Sequence, residues 1–190
     1  MPATALDPRT ALVVIDLQNG LSRFPTLRPF PEVVANTVKL AQAFRRAELP
    51  VVLVSVGFSA DGGDRLVTRT EAPPRVIPTT PEFAKIVPEL GPEPGDIVIT
   101  KRQPSAFYGT ELELQLRRRR ITGIVLAGVA SSIGVDSTAR AAFERAYNIT
   151  FATDAITDVD PFAEEYALTR SFPRLGELDS TDAILALMPQ

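Results

Sequence analysis

Along the chain, short unbroken apolar runs alternate with stretches whose apolar positions recur every three or four residues. The run Ala11-Leu12-Val13-Val14-Ile15 has no polar face, as a strand covered on both sides requires. Val51 to Val56, Ile97 to Thr100, Gly123 to Ala127 and Ile149 to Ala152 read the same way. Between these runs, Val33, Thr37, Leu40, Ala41 and Phe44 share one helical face, and Pro50 marks the stop. Thr110 and Glu113 have capping-box spacing at the head of a helix over Glu111 to Arg119. Val135, Ala139, Ala142, Phe143 and Ala146 form a third stripe, and Ser180 to Met188 reads as a closing helix. Strands alternating with helices of this length predict right-handed βαβ units. The expected fold class is therefore α/β, a doubly wound parallel sheet with helices on both faces. The stretch from Ala72 to Pro94 carries seven prolines and reads as a long crossover loop inside one domain spanning residues 1–190.

Composition narrows the function. An apolar fraction of 45% and a charged fraction of 23% fit a globular chain of 190 residues. A net charge of -3 provides no basic face, so no nucleic-acid partner is expected. The run Arg117-Arg118-Arg119-Arg120 falls at a helix C-terminus, where cations suit the dipole, and reads as a solvated end or a subunit contact. There is no cysteine and no histidine. Disulfides, thiolate zinc, and Cys-His or Ser-His-Asp catalysis are thereby excluded. An all-oxygen metal site would need a dense carboxylate cluster, and none stands out, so no metal or cofactor is expected. Met1 to Thr10 lacks a signal-peptide pattern and no apolar run approaches about 18 residues, so a cytoplasmic protein without a membrane partner is expected.

In open parallel sheets ligands bind beyond the carboxyl ends of the strands, which makes three strand ends candidates. Asp16 ends the first run, where a carboxyl group between core and solvent can have its pKa raised for general-acid work; a turn or cap role is the alternative. Lys101 ends the third run, where an ammonium could hold that carboxylate or stabilise negative charge; a solvated cap is the alternative. Phe107 and Tyr108 follow in a loop that either lines a pocket or packs on the sheet edge. Gly128 to Arg140 is a strand, a small-residue turn and a helix start. That turn is either a cradle for an anion or a close strand–helix packing point. Ser131 and Ser132 have no histidine to activate them and read as helix caps.

Leu12 to Gln18, Lys101 to Thr110 and Gly128 to Ala139 together resemble the three signature segments of the isochorismatase-like hydrolase family, in the same order. The resemblance implies a parallel sheet of about six strands, Asp16 and Lys101 as catalytic residues, and a cis peptide at Val129-Ala130. It also implies a small-molecule substrate and a homo-oligomer, dimer or tetramer. Gln18, Phe107, Tyr108, Val129, Ala130 and Ser131 become the expected substrate-binding positions. Relatives that use cysteine, such as nicotinamidases and carbamoylsarcosine amidases, carry their nucleophile where this chain has Gly134. True isochorismatases resemble the chain in having glycine there, and cleave a vinyl ether with the aspartate as proton donor. They carry a polar residue soon after the second strand, where this chain reads Val54-Ser55-Val56-Gly57-Phe58. The expected function is hydrolysis of a small anionic metabolite through Asp16 without a thiol intermediate. The alternative is an inactive member that binds a small molecule.

Overall fold

Alternate residues of Thr10–Ile15 (β1) enter two different cores, which is why Ala11 to Ile15 has no polar position. Leu12 and Val14 pack with Val33, Leu40, Ala41 and Phe44 of a helix over Phe30–Arg46 (α1). Val13 and Ile15 pack on the opposite side with Leu112 and Leu116 of Leu112–Arg118 (α3), and with Ala139 and Ala142 of Asp136–Phe143 (α4). The structure, a computed structural model, describes residues 2–71 and 77–188. Among the described residues no helix is long and apolar enough to cross a membrane.

The other strands are Val51–Val56 (β2), Ile97–Lys101 (β3), Gly123–Val129 (β4), Asn148–Thr157 (β5) and Glu177–Asp179 (β6). All pair in parallel in the order β3-β2-β1-β4-β5-β6. The expected doubly wound α/β architecture is thus present. Chain direction across the sheet reverses between β1 and β4, and the crevice above their carboxyl ends is where such sheets take ligands.

Several details differ from the sequence reading. Glu113 does not close a capping box, because Arg117 and Arg145 hold its carboxylate at 2.7 and 3.0 Å. β5 continues to Thr157, through Thr153 and Asp154. Asp154 can sit in mid-strand because its carboxylate accepts from the N–H and hydroxyl of Thr181, at the head of Thr181–Ala186 (α6), at 2.7 and 2.8 Å. Of the expected crossover loop, residues 72–76 lie outside the described residues. The remainder contains a short helix, Pro81–Ala84 (α2), started by the Thr80 side chain.

Candidate active site

β1 stops at Asp16, whose backbone turns into the left-handed region at φ 55°, a conformation that Asp tolerates better than most residues. Beyond it β4 approaches so closely that a Cβ on Gly128, at φ 117°, would lie 1.9 Å from the Ile15 carbonyl oxygen. Only glycine fits that crossing. The Val129–Ala130 peptide that follows is cis.

Lys101 lies on β3, two strands from β1, so a gap of about 10 Å must be bridged. The long lysine stem bridges it across the end of β2. Its Nζ donates to Asp16 Oδ2 at 2.9 Å and to the Pro104 carbonyl at 2.6 Å. Both residues are buried, Asp16 6% and Lys101 2% exposed. Asp16 Oδ1 is buried and has no hydrogen-bond partner among the described residues. Burial pushes the Asp16 carboxyl above its ordinary pKa, and the Lys101 charge only partly opposes this.

Asp16, Lys101, Val129, Ala130 and Gly134 all line one cavity of about 900 Å³. The structure therefore gathers the three strand ends named from the sequence. The remaining expected positions point elsewhere. Gln18 is fully buried, and its amide is used on backbone: it accepts from Val56 N–H at 2.8 Å and donates to the Val56 and Phe83 carbonyls at 3.0 and 2.8 Å. The 105–110 loop is tied to α4, Ala106 N–H donating to Thr138 Oγ1 at 3.0 Å. That tie turns Phe107 into the core, 5.9 Å from the Tyr147 ring, and leaves Tyr108 74% exposed. Neither aromatic lines the cavity.

Ser131 is buried outside the cavity wall and caps nothing; nor does Ser132. Their hydroxyls donate to Asp158 Oδ2 at 2.9 and 2.7 Å, and the Ser132 N–H donates to the same oxygen at 2.8 Å. The anion at this turn is the protein's own. Burial pushes the Asp158 carboxyl up, but the bonds from Ser132, Val159 and Ser131 outweigh it and hold the pKa below the ordinary 3.8. Its contribution to stability is present above that value and is lost as pH falls through the depressed one. Asp158 lines the cavity and braces the turn Ser131–Val135 that carries Gly134. Asp158→Ala orphans these donors and is expected to cost about 1–3 kcal/mol, read as a lower urea midpoint at neutral pH. An unchanged midpoint would show that the brace carries no load.

Asp158 was missed because the polar Thr153-Asp154 pair hid the end of β5. It stands just past that strand as Asp16 stands past β1, so the strand-end rule would have found it had the strand been read to its end. Among the described residues no three His, Cys, Asp or Glu side chains gather into a metal-binding group.

Fold and site together define a doubly wound α/β protein with a buried acid–ammonium pair at the switch point of its sheet. The Isochorismatase domain family matches residues 10–183, and the chain belongs to this hydrolase family. It is 42% identical over 181 residues to the isochorismatase family protein YwoC of Bacillus subtilis (strain 168), covering 93% of each chain. An isochorismatase family protein of Burkholderia thailandensis superposes with a TM-score of 0.94 at 44% identity, covering 96% of this chain and 97% of that one. The N-carbamoylsarcosine amidase of Thermoplasma acidophilum superposes with a TM-score of 0.75 at 30% identity, over 92% and 97%.

Proposed function

We propose that this protein hydrolyses an ether or related bond in a small anionic metabolite, with Asp16 as general acid and no covalent intermediate. The observation that carries the reading is the buried Oδ1 of Asp16, which has no hydrogen-bond partner among the described residues, on a residue that lines the cavity beside Lys101. The amidase relative acts on an amide, but a thiol route is closed to a chain without cysteine. Asp16 delivers its proton to the vinyl carbon of the ether, and water adds to the oxocarbenium ion so formed. The proton lost by that water returns to the Asp16 carboxylate. The hemiketal then collapses to a carbonyl as its C–O bond breaks, its hydroxyl proton passing to the departing alcohol oxygen. One water is consumed and the enzyme is regenerated. Lys101 holds the carboxyl group in place and balances its charge once the proton has left.

The acid must be protonated to work, so the sign of its pKa shift sets the pH dependence. A metabolite screen with vinyl ethers and simple amides as controls identifies a turnover substrate. With it, kcat/KM is expected to fall as pH rises through the elevated Asp16 pKa, above the usual carboxylate range. Folding stability falls over the same interval, because the native state there binds the proton that the unfolded chain has released. Lys101→Met removes the charge that lowers this pKa, and the limb moves to higher pH. A rate that instead climbs with pH through this interval would mean that the carboxylate acts as base or nucleophile, and would refute the reading.

A further inference from the structure

Asp16 and Lys101 form the buried floor of the cavity, whereas two further cations, Arg65 and Arg102, line it nearer the solvent. The loop that carries Arg65, after β2, is built on carboxylates. Asp64 Oδ1 accepts from the Ser59 N–H and hydroxyl at 2.8 and 2.9 Å, and Asp61 Oδ1 accepts from the Ser59 hydroxyl and the Gly63 N–H at 2.6 and 3.0 Å. Asp64 Oδ2 takes Arg102 Nε at 2.8 Å. The bonds from Arg102 and Ser59 lower the Asp64 pKa to about 2, so this anchor stays ionised at neutral pH.

Most of the charged groups that line the cavity have partners of their own. Asp16 is paired with Lys101, Asp158 is satisfied by its serine and backbone donors, and Arg102 is paired with Asp64. Arg65 is left over. Its guanidinium lies 5.3 Å from the centre of the Phe58 ring and donates through Nη2 to the Ile77 carbonyl. Its Nε is buried and has no hydrogen-bond partner among the described residues, and none of their carboxylates forms a salt bridge with it. A buried N–H without a partner costs about 1–3 kcal/mol. Much of the remaining lining is apolar, Leu21, Phe24, Val56, Phe83, Ile133 and Val159 among it.

We propose that Arg65 is the carboxylate-recognising residue of this cavity, and that the substrate is a carboxylate with an apolar body. A guanidinium that lines the cavity and has no carboxylate partner among the described residues suits an anionic group. A planar guanidinium backed by an aromatic ring presents N–H edges that match a carboxylate. The apolar wall takes the body, and the reacting bond lies at the Asp16 end. The assignment rests on the proposed reading of the cavity as the substrate site, but it is tested without catalysis.

Isothermal titration of the unmodified protein with 3-phenylpropionate, the neutral 3-phenylpropanol and phenyl phosphate uses probes that acid catalysis at Asp16 need not turn over. The carboxylate is expected to bind at least about tenfold more tightly than the alcohol. In Arg65→Met the carboxylate falls to the affinity of the alcohol, whose own binding is unchanged. Equal binding of acid and alcohol, no saturable binding of the acid, or a preference that survives in Arg65→Met would each overturn the assignment. Tighter binding of phenyl phosphate than of the carboxylate would overturn the ligand class. Any of these results leaves the pH test of Asp16 untouched, and a failure of that test leaves the binding result standing.

Discussion

Replacing Asp16 with asparagine is expected to lower turnover by about 10²–10⁴-fold, the range over which a positioned proton donor accelerates a reaction. Asparagine keeps the shape and the bond from Lys101 but cannot give up and recover a proton. Above the raised Asp16 pKa, where the carboxyl group is ionised, it also leaves the Lys101 ammonium buried without its counter-charge. Breaking one side of a buried pair costs about 3–5 kcal/mol, whereas removing both charges together is often nearly neutral. The single variant should therefore be both slow and less stable, and Asp16→Asn with Lys101→Met should regain stability but not activity. Turnover and urea denaturation of the three proteins separate the two effects. If the double variant recovers activity along with stability, Asp16 serves the fold alone and the proposed chemistry is wrong.

Restoring a thiol at position 134 is expected to damage the site and to create no amidase. A Cβ on Gly134 would lie 2.9 Å from Ile15 Cγ2 and 3.1 Å from both Lys101 Nζ and the Val129 carbonyl oxygen. None of these neighbours yields easily. Ile15 is β-branched and fully buried, Lys101 is held by Asp16 and Pro104, and the third atom is backbone. Forcing extra atoms into such a place costs about 1–3 kcal/mol and displaces the ammonium. Gly134→Cys should show a lower urea midpoint, loss of the parent activity and no hydrolysis of simple amides. A variant that cleaves amides and is silenced by alkylation would instead mark the chain as a thiol enzyme that lost its nucleophile, favouring the binding-protein alternative for the present sequence.

Much of the architecture was legible because the physics behind it is local. β1, β2 and β4 are covered on both faces, so nearly all their residues are apolar and the runs stand out. β6 is three residues long, Glu177–Asp179, with no apolar run to betray it. The second half of β5 was hidden by an aspartate whose partner, Thr181, lies 27 residues further on. The site divides in the same way. Asp16 and Lys101 terminate legible strands, and a strand end is readable once the strand is. Phe107, Tyr108 and Gln18 looked suitable for a pocket by residue type, but their direction depends on Thr138, Val56 and Phe83, contacts that neighbouring residues do not encode. Arg65 lay in a loop with no periodicity at all. Its proposed role comes from Asp64 taking Arg102, which leaves Arg65 without a carboxylate partner among the described residues.

The ion pair that joins Asp16 to Lys101 spans β2 and ends on β3, an edge strand held by hydrogen bonds on one side only. Edge elements open at lower free-energy cost than the middle of a sheet. Transient fraying of Ile97–Lys101 carries the ammonium away while β1, β4 and the carboxyl group stay in place. Amide exchange along β3 therefore reports on the competent state more directly than global unfolding does. On mild heating or in dilute urea, activity should decline while the central strands are still fully protected from exchange.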